Sequence, residues 1–345
     1  MKGWKRKMAL ASKEFRGEIF TNVDSRIMQA MVNVNTEEID GCVGYDSHSI
    51  NAISMVQKYF KDEICATYTI NGTGANMIAM KVMLDRFSSV ICTYETHVNV
   101  YEAGAFEYTL GNKILTAESS LGKLTPDSIQ KLLDNTKKYK FNPKVAVISQ
   151  PTELGTLYTV DELKELCDFL HSKGMYLYID GARIANALAA LECDLSQMIE
   201  YPDVDAFSIG GTKAGAMFGE MVVFRRREFF DHIDYLKKQS FQHFDKSKFI
   251  GVQFETLFEK GIWLENAQTA NQNARFLEET FAKKGVKSFY PVQTNMFFAV
   301  LQQNVLDRIN EHFDLHYWNV EDKTVRICAT AFARREQIEK LANLL

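Results

Sequence analysis

Lys213 stands alone among glycines and small residues in SIGGTKAGAMFGE (208–220), at the end of the apolar run VDAFSIG. Lysine side chains normally stay in water, and glycines around one suggest that something approaches the backbone closely. An amine so placed suits Schiff-base chemistry with a carbonyl compound. Four other polar clusters share this setting. NGTGAN (71–76) follows TYTI, and His97 follows VICTYET. QPTELGT (150–156) follows VAVIS, and DGAR (180–183) follows YLYI. In an open parallel sheet, residues beyond the carboxyl ends of the strands share one crevice. Five strand ends would then present a glycine-rich loop, an imidazole, an acid, a guanidinium and a lysine.

Each cluster also has a plainer reading. NGTGAN precedes a helical pattern, so its N–H groups and Thr73 suit a phosphate at a positive helix end. It is no dinucleotide fingerprint, because Met77 stands where the third glycine belongs. GGTK fails as a P-loop, since the order is Thr-Lys and the spaced first glycine is missing. Taken alone, NGTGAN reads as a tight βα turn. Asp180 ends a strongly apolar strand, where a carboxylate needs a partner. It caps the helix beginning near Ala182, or it pairs with a protonated ring nitrogen. Lysine, acid and phosphate loop together are the set that pyridoxal phosphate requires.

Strand-like and helix-like runs alternate from about residue 49 to 225. INAISMVQKYF, ANMIAMKVMLDRF and TVDELKELCDFLHSKG have helical periodicity; CATYTI, SSVICT, VAVIS and MYLYID read as strands. Thr159 with Glu162 forms a capping box, and Gly174 is a stop signal. Short, almost continuously apolar strands indicate a parallel sheet covered on both faces. Past residue 235 a long helical stretch, about 250–283, leads to a smaller strand–helix mixture with NMFFAV, VLDRINEHF, TVRICAT and REQIEKLANLL. The expected fold is α/β: a mainly parallel central sheet sandwiched by helices, plus a smaller C-terminal α+β domain. The divisions are an N-terminal segment (1–40), a large domain (41–236) and a small domain (237–345).

The bulk numbers bound the function. The chain has 345 residues, 46% hydrophobic and 24% charged, with a net charge of −4. That balance disfavours a nucleic-acid partner. KGWKRK near the N-terminus and RRR (225–227) read as solvated faces. Six scattered cysteines without a CxxC pair read as reduced thiols. With no signal-peptide h-region and no bilayer-spanning run, the expectation is a cytoplasmic protein with no membrane partner.

The chain resembles the threonine aldolase/β-eliminating lyase family of fold-type-I pyridoxal-phosphate enzymes over nearly its whole length. The matching segments are NGTGANMIAMKVML, THVNVYEAGAFE, ISQPTELGTLYTVDEL, YIDGARIANAL, SIGGTKAGAMFGEMVVF, TNMFFAV and TVRICATAF. The resemblance implies pyridoxal 5′-phosphate held as a Schiff base on Lys213, with Asp180 against the pyridinium N–H and His97 stacked on the ring. It puts Gly72, Thr73, Gly74 and Thr212 at the phosphate. Arg183 and Arg326 match two arginines that grip the substrate carboxylate, a task for planar guanidinium forks; Arg183 also lies beside the cofactor. The implied reaction is aldehyde-lyase chemistry: retro-aldol cleavage of L-threonine or allo-threonine to glycine and acetaldehyde. The same constellation serves β-elimination and transamination, and a catalytically silent homologue used for binding or assembly is an alternative of another class.

Departures from the family gather at the substrate contacts. FRGE (15–18) has Gly17 at a usually small polar position, and VGYDSHS (43–49) has Val43 and His48 at two aromatic positions. QPTELGT replaces a loop that carries a histidine in better-known aldolases. The resemblance also implies a homodimer or homotetramer with the cofactor near a subunit interface. VGYDSHS and KKQSFQHFDKSK (237–248) would approach a neighbour's site, and the N-terminal segment reads as too polar to form a core. His48 is then a candidate for the substrate hydroxyl across that interface, or a residue that caps or packs beside the helix from Ser49.

Overall fold

The computed structural model describes residues 11–38, 41 and 44–345; KGWKRK, Cys42 and Val43 lie outside them. Seven strands form the main sheet: β1 (Cys65–Thr69), β2 (Ser89–Thr93), β3 (Lys113–Ala117), β4 (Pro143–Ser149), β5 (Tyr176–Asp180), β6 (Ala206–Gly210) and β7 (Glu220–Phe224). Their order is β1-β7-β6-β5-β4-β2-β3. β2 to β6 pair in parallel, whereas β7 is antiparallel to both neighbours. Only residues 211–219 join β6 to β7, too few for the crossover that a parallel pairing needs. Every residue of β2, β6 and β7 is buried, as expected for strands covered on both faces. β2 and β6 match apolar runs read from the sequence, whereas β7 was not read there as a strand. β3 was not foreseen there: it lies at the sheet edge, and half-exposed KILTA lacks a continuous apolar run.

The capping box is present, with Glu162 N–H donating to Thr159 Oγ1 and Thr159 N–H to Glu162 Oε2. The long helical stretch needs correction. It is two helices, Lys248–Glu259 and Ile262–Ala282, separated where Gly261 adopts φ +63°. A left-handed residue cannot continue an α-helix, and glycine takes that conformation without a Cβ penalty.

The second sheet is antiparallel, in the order β8 (Met296–Val300), β10 (Thr324–Cys328), β9 (His316–Asn319). Helix Ile262–Ala282 bridges two cores. Ile262, Trp263 and Ala267 pack with the main sheet, along with Ile250 and Phe254 of the preceding helix. Leu277 and Phe281 instead join Phe297 and Ile327 of the small sheet. The N-terminal segment is less polar in effect than its composition suggests. Phe15, Ile27 and Val34 are fully buried. Phe15 sits in the small-sheet core against Phe313, and its carbonyl accepts from Cys328 N–H. This anchoring carries residues 16–20 to the ends of the main strands.

Candidate active site

A cleft of about 560 Å³ opens at the carboxyl ends of the parallel strands. β1 delivers Gly72 and Thr73, β5 delivers Asp180 and Arg183, and β6 delivers Thr212 and Lys213. His97 opens the one-turn helix His97–Val100 after β2. Arg326 comes from β10 of the small sheet, and Arg16 to Phe20 come from the N-terminal segment. Eight of the ten residues singled out in the sequence thus border one cavity. Gly74 and His48 do not.

The glycines of the motifs are required by the protein's own packing. A Cβ on Gly210 would lie 2.2 Å from Ala182 O, and one on Gly181 would lie 1.8 Å from Ser208 O. One on Gly211 would meet Gly219 O at 2.7 Å and the Phe254 ring at 2.8 Å. The close approach inferred around Lys213 is therefore made by neighbouring loops. Gly72 is different: it borders the cleft, and a Cβ there would meet no atom within 4 Å.

Helix Gly72–Met83 begins at the cleft. Asn71 caps it, taking Gly74 N–H on Oδ1 (2.8 Å) and Ala75 N–H on its carbonyl. The N–H groups of Gly72 and Thr73 have no acceptor among the described residues. Unclaimed donors at a helix N-terminus attract an anion. Gly74 supports this loop from behind, packed on the Gln242 side chain.

At the centre, Lys213 has no hydrogen bond or ion pair on Nζ among the described residues. Burial, and then the nearby charge of Arg183, holds its pKa below the ordinary lysine value. Glu220 at the start of β7 is buried with Oε2 unpartnered. Its carboxyl is pushed up to about 8 by burial, opposed by the charge of Lys213. The lowered pKa of Lys213 favours the neutral amine, which is the nucleophilic form.

Asp180 is 7% exposed, with Oδ1 accepting from Ala182 N–H (3.0 Å) and Oδ2 from Asn76 Nδ2 (2.9 Å). The helix cap read from the sequence is corrected: the helix spans Ile184–Leu191 behind Arg183, with no side-chain cap, and Asp180 instead holds the turn after β5 while bordering the cleft. Asn76 also donates to Glu102 Oε1 (2.7 Å) while accepting from Tyr178 Oη (2.9 Å). Glu102 Oε1 lies 2.9 Å from His97 Nδ1. A carboxylate oxygen only accepts here, so Nδ1 carries the proton and the imidazole is fixed in one tautomer. A buried chain His97–Glu102–Asn76–Asp180 thus holds both groups.

The two arginines differ. Arg183 places Nε (2.5 Å) and Nη2 (2.9 Å) on the carboxylate of Glu18, which also accepts from Asn295 (2.7 Å). Burial would raise the Glu18 carboxyl, yet the charge and bonds of Arg183 hold it well below the carboxylate range. Only Nη1 of Arg183 is free of that pair. Arg326 has its guanidinium 5.6 Å from the Trp318 ring, and its buried Nε has no partner among the described residues. A half-buried guanidinium that borders a cleft without a counter-charge among the described residues suits an anionic ligand.

His48 lies away from the cleft of its own chain. Its ring nitrogens face Glu255 and Glu37, the latter at 2.7 Å. Burial opposes protonation, but those two bonds outweigh it and raise its pKa. The helix starts at Ser47, capped by Asp46 onto Ser49 N–H (2.9 Å), so His48 is no cap.

Sequence reasoning assigned nothing to Glu18, Asn76, Glu102, Glu153 or Glu220. Each lies inside a segment already singled out. Their signal is a polar residue within a motif whose other members face the cleft.

Comparison with known proteins now bears on this geometry. The beta-eliminating lyase family profile matches residues 14–304. The chain belongs to the beta-eliminating lyase family. The low specificity L-threonine aldolase of a Pseudomonas strain is 32% identical, over 86% of this chain and 87% of that protein. Its counterpart in Pseudomonas aeruginosa is 29% identical over 96% of both. The solved threonine aldolase of Leishmania major superposes with a TM-score of 0.91 at 28% identity, covering 96% of this chain and 98% of that one. The fold is that of the fold-type-I pyridoxal-phosphate enzymes. No helix among the described residues is long and apolar enough to cross a membrane.

The beta-eliminating lyase family implies pyridoxal phosphate, and the residues present fit that group. The unclaimed helix donors suit its phosphate, Lys213 Nζ has no partner among the described residues, and Asp180 is a buried carboxylate whose neighbours leave it bordering the open cleft.

Proposed function

We propose that this protein is a pyridoxal-phosphate-dependent threonine aldolase. It cleaves L-threonine or L-allo-threonine, and related β-hydroxy amino acids, into glycine and an aldehyde. The observation that carries this reading is one cleft that joins a half-buried lysine unpaired among the described residues, a strand-end aspartate and an arginine with an orphaned buried Nε. The names of the relatives, low specificity L-threonine aldolase, support the choice of substrate.

Bound there, the cofactor would supply a conjugated ring that takes up the electron pair of a broken Cα bond. Lys213 would hold its aldehyde carbon covalently, and a neutral amine is the form that can attack it. Asp180 would face the ring nitrogen and keep a proton there, with Asn76 and Ala182 N–H fixing the carboxylate plane. His97 would lie on the ring face, oriented by Glu102. Gly72, Thr73 and the helix terminus would bind the phosphate, with Thr212 beside them and Gly74 behind. Arg326, with Nη1 of Arg183, would take the substrate carboxylate and so set which Cα bond stands perpendicular to the ring. The working form is a homodimer or homotetramer.

The test is Lys213→Ala against wild type. Wild-type protein should show a cofactor absorbance, incorporate a borohydride-reducible label at Lys213, and release acetaldehyde and glycine from threonine. The variant should lose label and turnover. Retention of the reducible adduct would overturn the lysine assignment. Ammonia and keto acid as the main products would replace aldol cleavage by β-elimination.

A further inference from the structure

Four carboxylates border the cleft: Glu18, Glu153, Asp180 and Glu220. Retro-aldol cleavage needs one group to take the proton of the substrate's β-hydroxyl; two of these are bound elsewhere, and Glu220 is set apart by its position. Glu18 is locked on Arg183 and Asn295 and kept strongly acidic. Asp180 is bound by Asn76 and Ala182 N–H at the position of the ring nitrogen. Glu220 pairs in register with Thr69 of β1 and Gly210 of β6, which places it between the phosphate loop and Lys213.

We propose that Glu153 accepts and returns the proton of the substrate's β-hydroxyl, an inference that rests on the retro-aldol reading above. Glu153 lies in QPTELGT, the loop after β4, and is 7% exposed at the cleft wall. Its Oε1 takes both the backbone N–H of His97 (2.7 Å) and the hydroxyl of Ser149 (2.5 Å). One oxygen is thereby fixed against the His97 turn, and Oε2 is left for a further donor. The wall that holds Glu153 also holds His97, Arg183 and Arg326, so it borders the space for the amino acid. Burial, reinforced by the charge of Asp180, raises its pKa toward the range useful for general-base work. His97 keeps a basic Nε2, because its Nδ1–H goes to Glu102, but in the reading above its ring lies against the cofactor.

The proton balance is complete. The hydroxyl proton passes to Glu153, and the O–H electron pair becomes the carbonyl π bond of the departing aldehyde. The electron pair of the broken Cα–Cβ bond remains with Cα, which takes up a proton to become glycine. Glu153 returns its proton to solvent before the next turnover.

Two assays on the cofactor-loaded protein separate this role from a structural one. Aldehyde release from threonine needs the hydroxyl proton acceptor. Exchange of a glycine α-proton in D2O, followed by NMR, needs the cofactor, Lys213 and the carboxylate grip, but no hydroxyl. Glu153→Gln should lower threonine cleavage about 10²–10⁴-fold, with cofactor absorbance kept and glycine exchange nearly unchanged. Glu153→Asp should recover part of the activity and shift the acid limb of the pH profile. Undiminished cleavage in Glu153→Gln overturns the proposal alone and points to His97. Parallel loss of cleavage and exchange also overturns it, leaving Glu153 as a support for the His97 turn. Wild-type protein that exchanges glycine but forms no aldehyde overturns the retro-aldol reading, and this proposal with it.

Discussion

At the residue scale, the two cleft arginines have different surroundings, and their substitution should have different consequences. Arg326 has an orphaned buried Nε and no carboxylate partner among the described residues, so its charge is available to a ligand. Arg326→Ala should therefore raise KM for amino acids by the equivalent of about 2–5 kcal/mol, the loss typical of an unpaired buried contact. The cofactor absorbance should not change; steady-state kinetics together with a spectrum check both parts. Arg183 is held by Glu18, so removing Glu18 should first affect stability. Glu18→Gln should cost about 3–5 kcal/mol, because it leaves a buried guanidinium without its counter-charge. The pH dependence follows from the direction of the shift. The folded-state pKa of Glu18 is depressed, so its contribution is fully present above its unfolded value of about 4.5. That contribution erodes as pH falls below this value. Urea denaturation at pH 7 and at pH 3.5 should show a narrower gap between variant and wild type at the lower pH.

At the scale of elements, local signals were enough wherever one strand or helix stood between clear punctuation. The apolar runs at β2, β4, β5 and β6, and the Thr159–Glu162 box, form as their residues specify. β3 and β9 escaped detection because each is a short edge strand with partly exposed residues, so neither carries a full apolar run. The break at Gly261 escaped for a different reason. Apolar residues recur at helical spacing on both sides of it, and a single glycine is tolerated inside many helices. Its φ of +63° makes it a distinct feature, and a Cβ there would touch nothing within 4 Å. Gly261→Ala should then cost only the backbone term, about 1–2 kcal/mol. A lower urea midpoint with an unchanged slope and unchanged kcat would show this.

At the scale of the whole molecule, the cleft is assembled from three parts of the chain. The main sheet supplies the cofactor side, the small sheet supplies Arg326, and the N-terminal segment supplies Arg16 to Phe20. Two surface segments are also tied together. Gly44 N–H donates to Ser247 Oγ (2.6 Å), and Tyr45 Oη donates to Asp234 (2.6 Å). Tyr45 (66% exposed) and Phe241 (87% exposed) project from this pair of segments. Aromatic residues are enriched at protein interfaces. We propose that they meet a second copy of the chain. Light scattering should give at least twice the mass of 39.4 kDa, and a fully active monomer would overturn this assembly.

Residue order alone located the strand ends and therefore most of the site. Each polar cluster follows an apolar run directly, and parallel topology brings such ends together. Gly72, Thr73, His97, Asp180, Arg183, Thr212 and Lys213 were legible for that reason; Arg326, inside antiparallel β10, was legible only through the family resemblance. What order could not convey was pairing across the chain. Glu18 reaches Arg183 over 165 positions, and it does so because Phe15 anchors the segment in the small-sheet core. Asn76 joins Glu102 to Asp180 because a helix, the end of β5 and the turn after helix His97–Val100 converge on one buried point. Nor could order show whether the glycines beside Lys213 face a ligand or another loop. Backbone path is set by local pattern, whereas these contacts depend on which distant side chain fills each space, and only the packed molecule decides that.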